Sequence, residues 1–333
     1  MDQEKSVLRA VVLGAGGAGH LHAMVYRTLG VEILGAYDPD PIRSAVFAQT
    51  HLCNAASSED ELFEMGADLI SITTPPAMHI DQAIKAQDHS LIALVEKPVI
   101  VSLADLERAS KLDRAVPVVQ WRYGRAFQQL KAVYEAGYLG DSPSFVGDLA
   151  WYRDAEYFSS GRSSKSVWGA GALLSVGIHM VDLVSALLGP PVYSSGVLKM
   201  DERSDMESAA IAMFTFKNDA LATVRVSLNG GRDSTSLTVC GNGVTGRLDG
   251  GGNDPTSVSF IWNSANTEIG ENIQELCGTL TTNDTPPLLM NLIDSVIKAL
   301  CSRAGFIDSG IATMADVLPA HEAILNIYEK RNT

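Results

Sequence analysis

Two constellations in this chain combine residue types that could do chemistry. The first is Gly14-Ala15-Gly16-Gly17-Ala18-Gly19, which fits G-x-G-x-x-G directly after the apolar run RAVVL and before a helical stretch. In that pattern the first glycine permits a tight turn, the second lets backbone approach a pyrophosphate, and the third lets helix pack on strand. Uncapped N–H groups and the positive end of the helix dipole then hold phosphate oxygens. Gly14, Gly16, Gly17, Ala18, Gly19 and His20 are therefore candidate cofactor contacts. Asp38 closes the next apolar run, 24 positions after Gly14. A carboxylate there can accept hydrogen bonds from both ribose hydroxyls and repels a 2′-phosphate, which favours NAD over NADP. Arg43 is a further candidate on the cofactor side, expected on the exposed start of the following helix.

The second constellation is GAGALLSVGIHMVDL, residues 169–183. Ser175, His179 and Asp182 are spaced four and three apart, so on an α-helix they share one face. An imidazole exchanges protons near neutrality, and a carboxylate beside it fixes its tautomer and stabilises its charged form. A buried helix with a polar stripe has the same spacing. A third element of chemistry is Lys97, which follows the apolar run LIALVE. The carboxyl end of a strand is where open α/β sheets bind ligands, and an ammonium there can stabilise a developing alkoxide.

These residues need a framework to hold them. Up to about residue 120, short apolar runs (RAVVL, VEILGAY, DLISITT, LIALVE) alternate with helical periodicity at about His20 to Leu29, after Pro41, and around His79 to Gln87. Strands alternating with ten-residue helices imply parallel βαβ units. From about Phe145, SFVGDLAWYR, ESAAIAMFTF, ALATVRVSLN and STSLTVCGN read as strands joined by Gly, Asn and Asp turns, which favour hairpins and an antiparallel sheet. Asn229, Arg232 and Asp233 fall in one such expected hairpin turn. Two helices close the chain, LLMNLIDSVIKALCSR and roughly Ile311 to Lys330. The fold class expected is α/β: an N-terminal Rossmann doubly wound parallel sheet, then an α+β domain with a large, mostly antiparallel open sheet. The boundary is expected near residue 122, giving domains 1–122 and 123–333, with the final helix packing back on the first.

Composition excludes several alternatives. The chain has 333 residues, enough for two ordinary domains. A formal net charge of −14 lacks the Lys/Arg excess that neutralises nucleic-acid or anionic-membrane phosphates. No apolar run approaches the roughly 18–20 residues of a membrane helix, and MDQEKSVLRAVVL is too acidic for a secretory leader. The four cysteines (Cys53, Cys240, Cys277, Cys301) have no metal-ligand spacing and read as free thiols. A cytoplasmic globular protein that binds no metal is expected.

Two further stretches narrow the reading. TTPPAMH contributes Thr73, Thr74, Pro75 and His79, and VEKPV contributes Glu96, Lys97 and Pro98. With segment 169–183 and WRYGRAFQQLKAVYEAGYLG (121–140), the chain resembles, over essentially its whole length, the Gfo/Idh/MocA oxidoreductases, the family of glucose-fructose oxidoreductase and inositol 2-dehydrogenase. The resemblance implies a tightly held nicotinamide, sugar, polyol or keto-sugar substrates, and a C-terminal sheet that joins copies into dimers or tetramers. It implies that Lys97 contacts substrate near the nicotinamide, with Thr73, Thr74, Pro75, His79, Glu96 and Pro98 on the cofactor side. The family's second motif, G-G-G-x-L-x-D-x-G-x-H-x-x-D, falls on Gly169, Ala170 and Gly171, on His179 as the catalytic histidine, and on Asp182 as the final acid.

At the motif's first acid this chain has Ser175, which supplies a hydroxyl and no charge. Asp182, Asp148 and Asp154 are the acids that could substitute. Arg122 and Tyr123 match an Arg-aromatic pair of the family, so Ser175, Asp182 and Arg122 are candidate substrate contacts. Arg125 stands where relatives often have proline, and Trp168 could shield the nicotinamide. Three functions stay open at this point: an NAD-dependent dehydrogenase or reductase, a redox-neutral epimerase or eliminase that returns its hydride, and a non-catalytic dinucleotide sensor.

Overall fold

The computed structural model describes residues 7–159, 168, 171–202, 204–250, 254–264, 267–280, 288–301 and 309–331. Gly169 and Ala170 of the second motif lie outside the described residues. The chain divides into two compact units: Met1–Ile100, Asp105–Val118 and Leu289–Ala315 form the first, and Val101–Ala104, Val119–Leu288 and Asp316–Thr333 the second.

In the first unit, β1 (Arg9–Leu13), β2 (Glu32–Tyr37), β3 (Asn54–Ala55), β4 (Leu69–Ile72), β5 (Ile92–Val95) and β6 (Ala115–Pro117) form a six-stranded sheet in the order β3-β2-β1-β4-β5-β6. Every pairing is parallel. The order reverses direction on either side of β1, the topological switch point at which such sheets bind ligands. All four residues of β4 and of β5 are buried, as expected for strands covered by helices on both faces. Helix α1 runs Gly17–Thr28. It begins three residues before the expected His20 because its first turn is built from the glycine fingerprint itself. Helix α2 (Pro41–His51) starts at a strong cap: Asp40 accepts from the N–H groups of Ile42 and Arg43, and Pro41 sits in the first turn. Such a cap contributes about 1 kcal/mol.

The second unit is built on a seven-stranded sheet. Its strands are β7 (Ser144–Tyr152), β8 (Tyr193–Met200), β9 (Glu207–Thr215), β10 (Leu221–Ser227), β11 (Asn229–Gly241), β12 (Val244–Gly250) and β13 (Ser257–Trp262). The order is β13-β12-β11-β7-β10-β9-β8. All pairings are antiparallel except β7 with β10, which is parallel. The hairpin expected at Asn229–Asp233 is therefore absent. β10 and β11 are consecutive in sequence, yet β7 lies between them. Asn229, Arg232 and Asp233 instead open β11, where the register with β7 slips between Asn229 and Ser234. A true hairpin joins β11 to β12, with Asn242 and Gly243 both at positive φ, the geometry that Asn-Gly favours.

Alternation along β7 buries Phe145, Gly147, Leu149 and Trp151 on one face. That face packs on helix α8 (Ile178–Leu188), and a Cβ on Gly147 would press against Met180. The closing helix (Met314–Arg331) is tied to the same unit. Ser194 donates to the Ala323 carbonyl, and Lys330 to the Ser194 carbonyl. Among the described residues no helix is long and apolar enough to cross a membrane, and no group of three or more His, Cys, Asp or Glu could hold a metal ion. The four cysteines are free thiols.

Candidate active site

The first unit supplies a cradle made of backbone. Gly14 has φ +98, its N–H donates to the Tyr37 carbonyl at 2.8 Å, and a Cβ there would come within 2.8 Å of the Thr73 carbonyl group. Thr73 closes the turn by donating its hydroxyl toward the carbonyls of Leu13 and Gly14. A Cβ on Gly19 would collide with the Gly14 carbonyl oxygen, so this glycine lets α1 start against the turn. Gly16 and Gly17 differ: a Cβ at either meets nothing within 4 Å. Their surroundings are open, at the end of a helix with no side-chain cap. Ala18 and His20 continue this first turn.

Asp38 is nearly buried, and its two carboxylate oxygens are held by the N–H groups of Ala15 (3.0 Å) and Asp40 (2.9 Å). The carboxylate is thus locked to the glycine turn with lone pairs to spare. Arg43 lies on the exposed start of α2, paired with Asp40 at 3.4 Å. His20 Nδ1 lies 2.8 Å from His51 Nε2. Burial, with His20 and Arg27 adding, lowers the pKa of His51.

Behind the cradle the ends of β4 and β5 are joined by buried histidines. His22 reaches Ser71 at 2.8 Å and Glu96 at 3.3 Å, and Tyr26 shares the Ser71 hydroxyl. Glu96 also accepts the N–H of Lys97. Burial pushes the Glu96 carboxyl up, but His22 and Lys97 outweigh it and hold it below the usual carboxylate range. His79 is fully buried, with Nε2 2.9 Å from the Thr74 carbonyl and Nδ1 3.0 Å from that of Pro98. It bridges the TTPP turn, including Pro75, to the segment carrying Lys97 and Pro98. Burial lowers its pKa despite the two carbonyls, so the ring is neutral at pH 7 and donates to one of them.

In the second unit the helix expected over residues 169–183 is divided. Leu173–Gly177 is a π-helical turn, and α8 follows from Ile178. Ser175 therefore lies on a wider turn than His179 and Asp182, and the three do not share a continuous α-helical face. Isolated π turns recur at functional sites. The Ser175 hydroxyl donates to the Gly171 carbonyl at 2.7 Å.

Each acid that could replace the missing carboxylate is engaged. Asp182 is buried in a bidentate pair with Arg122, at 2.8 and 2.6 Å, and Arg122 also donates to the Asp316 carbonyl. Burial works against the charge of Arg122, but Asp182 outweighs it and raises its pKa. Asp148 pairs with Arg225 on the opposite face of the sheet, and Asp154 accepts from the Tyr157 N–H. The two candidate substrate contacts Arg122 and Asp182 thus bind each other.

His179 is 4% exposed. The Trp121 ring stacks on it, with centroids 4.4 Å apart and planes within 19°, and Trp151 leans against it at 6.4 Å. Both indoles are themselves anchored: Trp121 Nε1 donates to Asp254 at 2.7 Å, and Trp151 Nε1 to Thr235 at 3.3 Å. The imidazole is buried, stacked on one indole and tilted against the other.

Elsewhere in the same unit, Glu207 supplies a buried carboxylate that sequence reasoning missed. One of its oxygens accepts from the Leu173 N–H (2.9 Å) and the Tyr328 hydroxyl (2.7 Å). The other lies where a Cβ on Gly171 would fall. Burial raises the pKa of Glu207 above the ordinary range, although these hydrogen bonds oppose it. The available signal was a lone acid opening the apolar run ESAAIAMF. For Trp121 it was an indole directly before the Arg122–Tyr123 pair.

Comparison with known proteins gives one answer along the chain. Residues 8–121 match the model of an oxidoreductase family with an NAD-binding Rossmann fold, and residues 127–245 match the GFO/IDH/MocA C-terminal domain. Among curated relatives, scyllo-inositol 2-dehydrogenase (NAD(+)) of Bacillus subtilis (strain 168) is 28% identical over 56% of this chain and 56% of its own. D-glucoside 3-dehydrogenase of Escherichia coli (strain K12) is 26% identical over 57% and 56%. The match thus spans little more than half the length of these relatives. Among solved structures, the WlbA dehydrogenase from Bordetella pertussis, in complex with NADH and UDP-GlcNAcA, superposes with a TM-score of 0.81. It is 21% identical and the match covers 98% of this chain and 96% of that one, a likeness of fold. With both halves matched in order, this chain belongs to the Gfo/Idh/MocA family of NAD-binding oxidoreductases.

Proposed function

We propose that this protein is an NAD-dependent oxidoreductase that moves a hydride between nicotinamide and a CH–OH carbon of a sugar, cyclitol or keto-sugar derivative. The observation that carries the reading is the dinucleotide cradle: open space over Gly16 and Gly17, an uncapped helix start, and Asp38 locked beside it. Those features fit a pyrophosphate on the backbone N–H groups of α1 and a ribose on Asp38. The fixed carboxylate favours NAD over NADP. Bound there, the nicotinamide supplies the hydride acceptor or donor.

Lys97 holds the reacting oxygen and stabilises its negative charge as the C–H bond is broken. His179 exchanges the proton of that oxygen, its ring fixed by Trp121 and Trp151. Ser175, bonded to the Gly171 carbonyl, shapes the turn below the histidine instead of supplying a charge to it. The Arg122–Asp182 pair is a brace for α8. His79 and Glu96 set the backbone on which Lys97 stands.

The outer face of the seven-stranded sheet supports self-association. Val146, Val197, Ile211 and Met213 are exposed there, in two adjacent cross-strand rows, one of which also carries the Asp148–Arg225 ion pair. An apolar face of this kind fits pairing with a second copy, giving a dimer or tetramer whose size light scattering would report.

The test is direct. Purified protein is mixed with NAD and a panel of hexoses, cyclitols and sugar derivatives, and reduced nicotinamide is followed by absorbance. Formation of NADH with at least one of them is expected. A flat trace with all of them contradicts the reading.

A further inference from the structure

Among the described residues, a guanidinium with no carboxylate partner stands one aromatic ring away from His179. Arg9, Arg43, Arg108, Arg122, Arg225 and Arg247 each face an Asp side chain. Arg153 does not. Among the described residues its side-chain N–H groups have one acceptor, the Tyr152 carbonyl at 2.8 Å.

Position and order both point to a ligand. Arg153 lies directly after the end of β7, two residues past Trp151, and is half-buried. Its backbone is fixed by an N–H bond to the Leu228 carbonyl at 2.9 Å. Its guanidinium lies 5.2 Å from the Trp151 ring and 5.5 Å from that of Tyr157. Trp151 in turn leans on His179 at 6.4 Å. Stacking on ring faces occupies the plane of a guanidinium and leaves its in-plane N–H edge to donate. That edge matches carboxylate or phosphate oxygens in a paired geometry.

We propose that Arg153 recognises an anionic substituent, a carboxylate or a phosphate, on the part of the substrate remote from the carbon at His179. The inference rests on the reading of His179 as the proton-exchanging group. It narrows the substrate class from sugars in general to acidic sugar derivatives. Trp151 contacts both groups, the imidazole at 6.4 Å and the guanidinium at 5.2 Å.

The test measures binding and turnover separately. NAD-loaded protein is titrated calorimetrically with glucose, galactose and mannose, with the three matching uronates, and with the three 6-phosphates. At least one charged sugar is expected to bind more tightly than its neutral counterpart. Arg153→Gln should weaken that binding by about 10- to 100-fold, the scale of a hydrogen bond to a charged group. Binding of the neutral sugar should be unchanged. Arg153→Lys should recover part of the loss, and Arg232→Gln, an exposed arginine in the same bulge, should change little. Whether uronates or phosphates respond identifies the anion.

Equal weakening of neutral and charged ligands overturns the proposal, as does no preference for any charged sugar. Arg153-dependent binding without NADH formation would instead leave this inference standing and refute the catalytic reading. Turnover of neutral sugars that is indifferent to Arg153→Gln would do the reverse.

Discussion

The two units of this protein prepare for chemistry by opposite means. The first offers a site built from backbone. Gly14, Gly16, Gly17 and Gly19 clear space, α1 presents unused N–H groups, and Asp38 is held by main-chain donors. The second works with side chains that meet only through folding: His179 between Trp121 and Trp151, Arg122 on Asp182, and Glu207 on Tyr328. A backbone site fails when a side chain is added. A side-chain site fails when a partner is removed.

The largest effect on stability should come from the second kind of failure. Asp182→Asn leaves Arg122 buried without its counter-charge, and loss of one member of a buried pair costs about 3–5 kcal/mol. Chemical denaturation should show this drop, whereas replacing both partners together with apolar residues should recover much of it.

The next effect tests the backbone site. Gly19→Ala forces a Cβ into the Gly14 carbonyl oxygen, and overpacking of this kind costs about 1–3 kcal/mol. NAD affinity measured by fluorescence quenching should fall with it, while Gly30→Ala, at an open turn away from the fingerprint, should leave affinity unchanged. Asp38→Asn should be smaller still. Loss of the charge should weaken NAD about tenfold and narrow the preference over NADP, and an unchanged ratio would remove Asp38 from cofactor selection.

Acidity should separate the units most finely. His79 has a folded-state pKa lowered by burial, so its neutral form stabilises the fold above the ordinary value of 6.5. As pH falls below that value the unfolded chain takes up the proton first, and this stability is lost. Glu207 has a folded-state pKa raised by burial. The folded state holds its proton more tightly, so stability from this group grows as pH falls towards 4.5 and is lost as pH rises. Stability curves of His79→Gln and Glu207→Gln against wild type between pH 7.5 and 5 should therefore diverge in opposite directions. Parallel curves would show that neither burial matters.

The same contrast explains how much of the molecule was legible in its sequence. The cofactor half was readable because its requirements are local. Glycine at a positive φ, glycine under a helix start, and an acid at a strand end are fixed by a few neighbouring positions. The parallel sheet and Asp38 follow from that grammar. In the second unit the sequence offered candidate positions only where a motif resemblance supplied them, as for His179 and Asp182.

Its partners were not legible because they come from distant sequence. Trp121 and Asp254 are 133 residues apart, and Glu207 and Tyr328 are 121 apart. Spacing on an ideal helix also misled at Ser175, since a π turn widens the backbone there. The hairpin expected at Asn229–Asp233 failed for a similar reason. Turn residues specify a local bend, but the insertion of β7 between β10 and β11 is a property of the whole sheet.

The central proposal is that Lys97 and His179 are both required for hydride transfer between NAD and a CH–OH group. The most direct measurement is NADH formation by wild type, Lys97→Ala and His179→Asn with the best substrate of the panel, alongside NAD binding by each. Wild type should turn over. Both variants should bind NAD within a few-fold of it, and both should lose about 10²–10⁴ in rate, the scale of a lost acid–base or charge-stabilising group. Retention of wild-type rate by either variant, with NAD bound, would contradict the account.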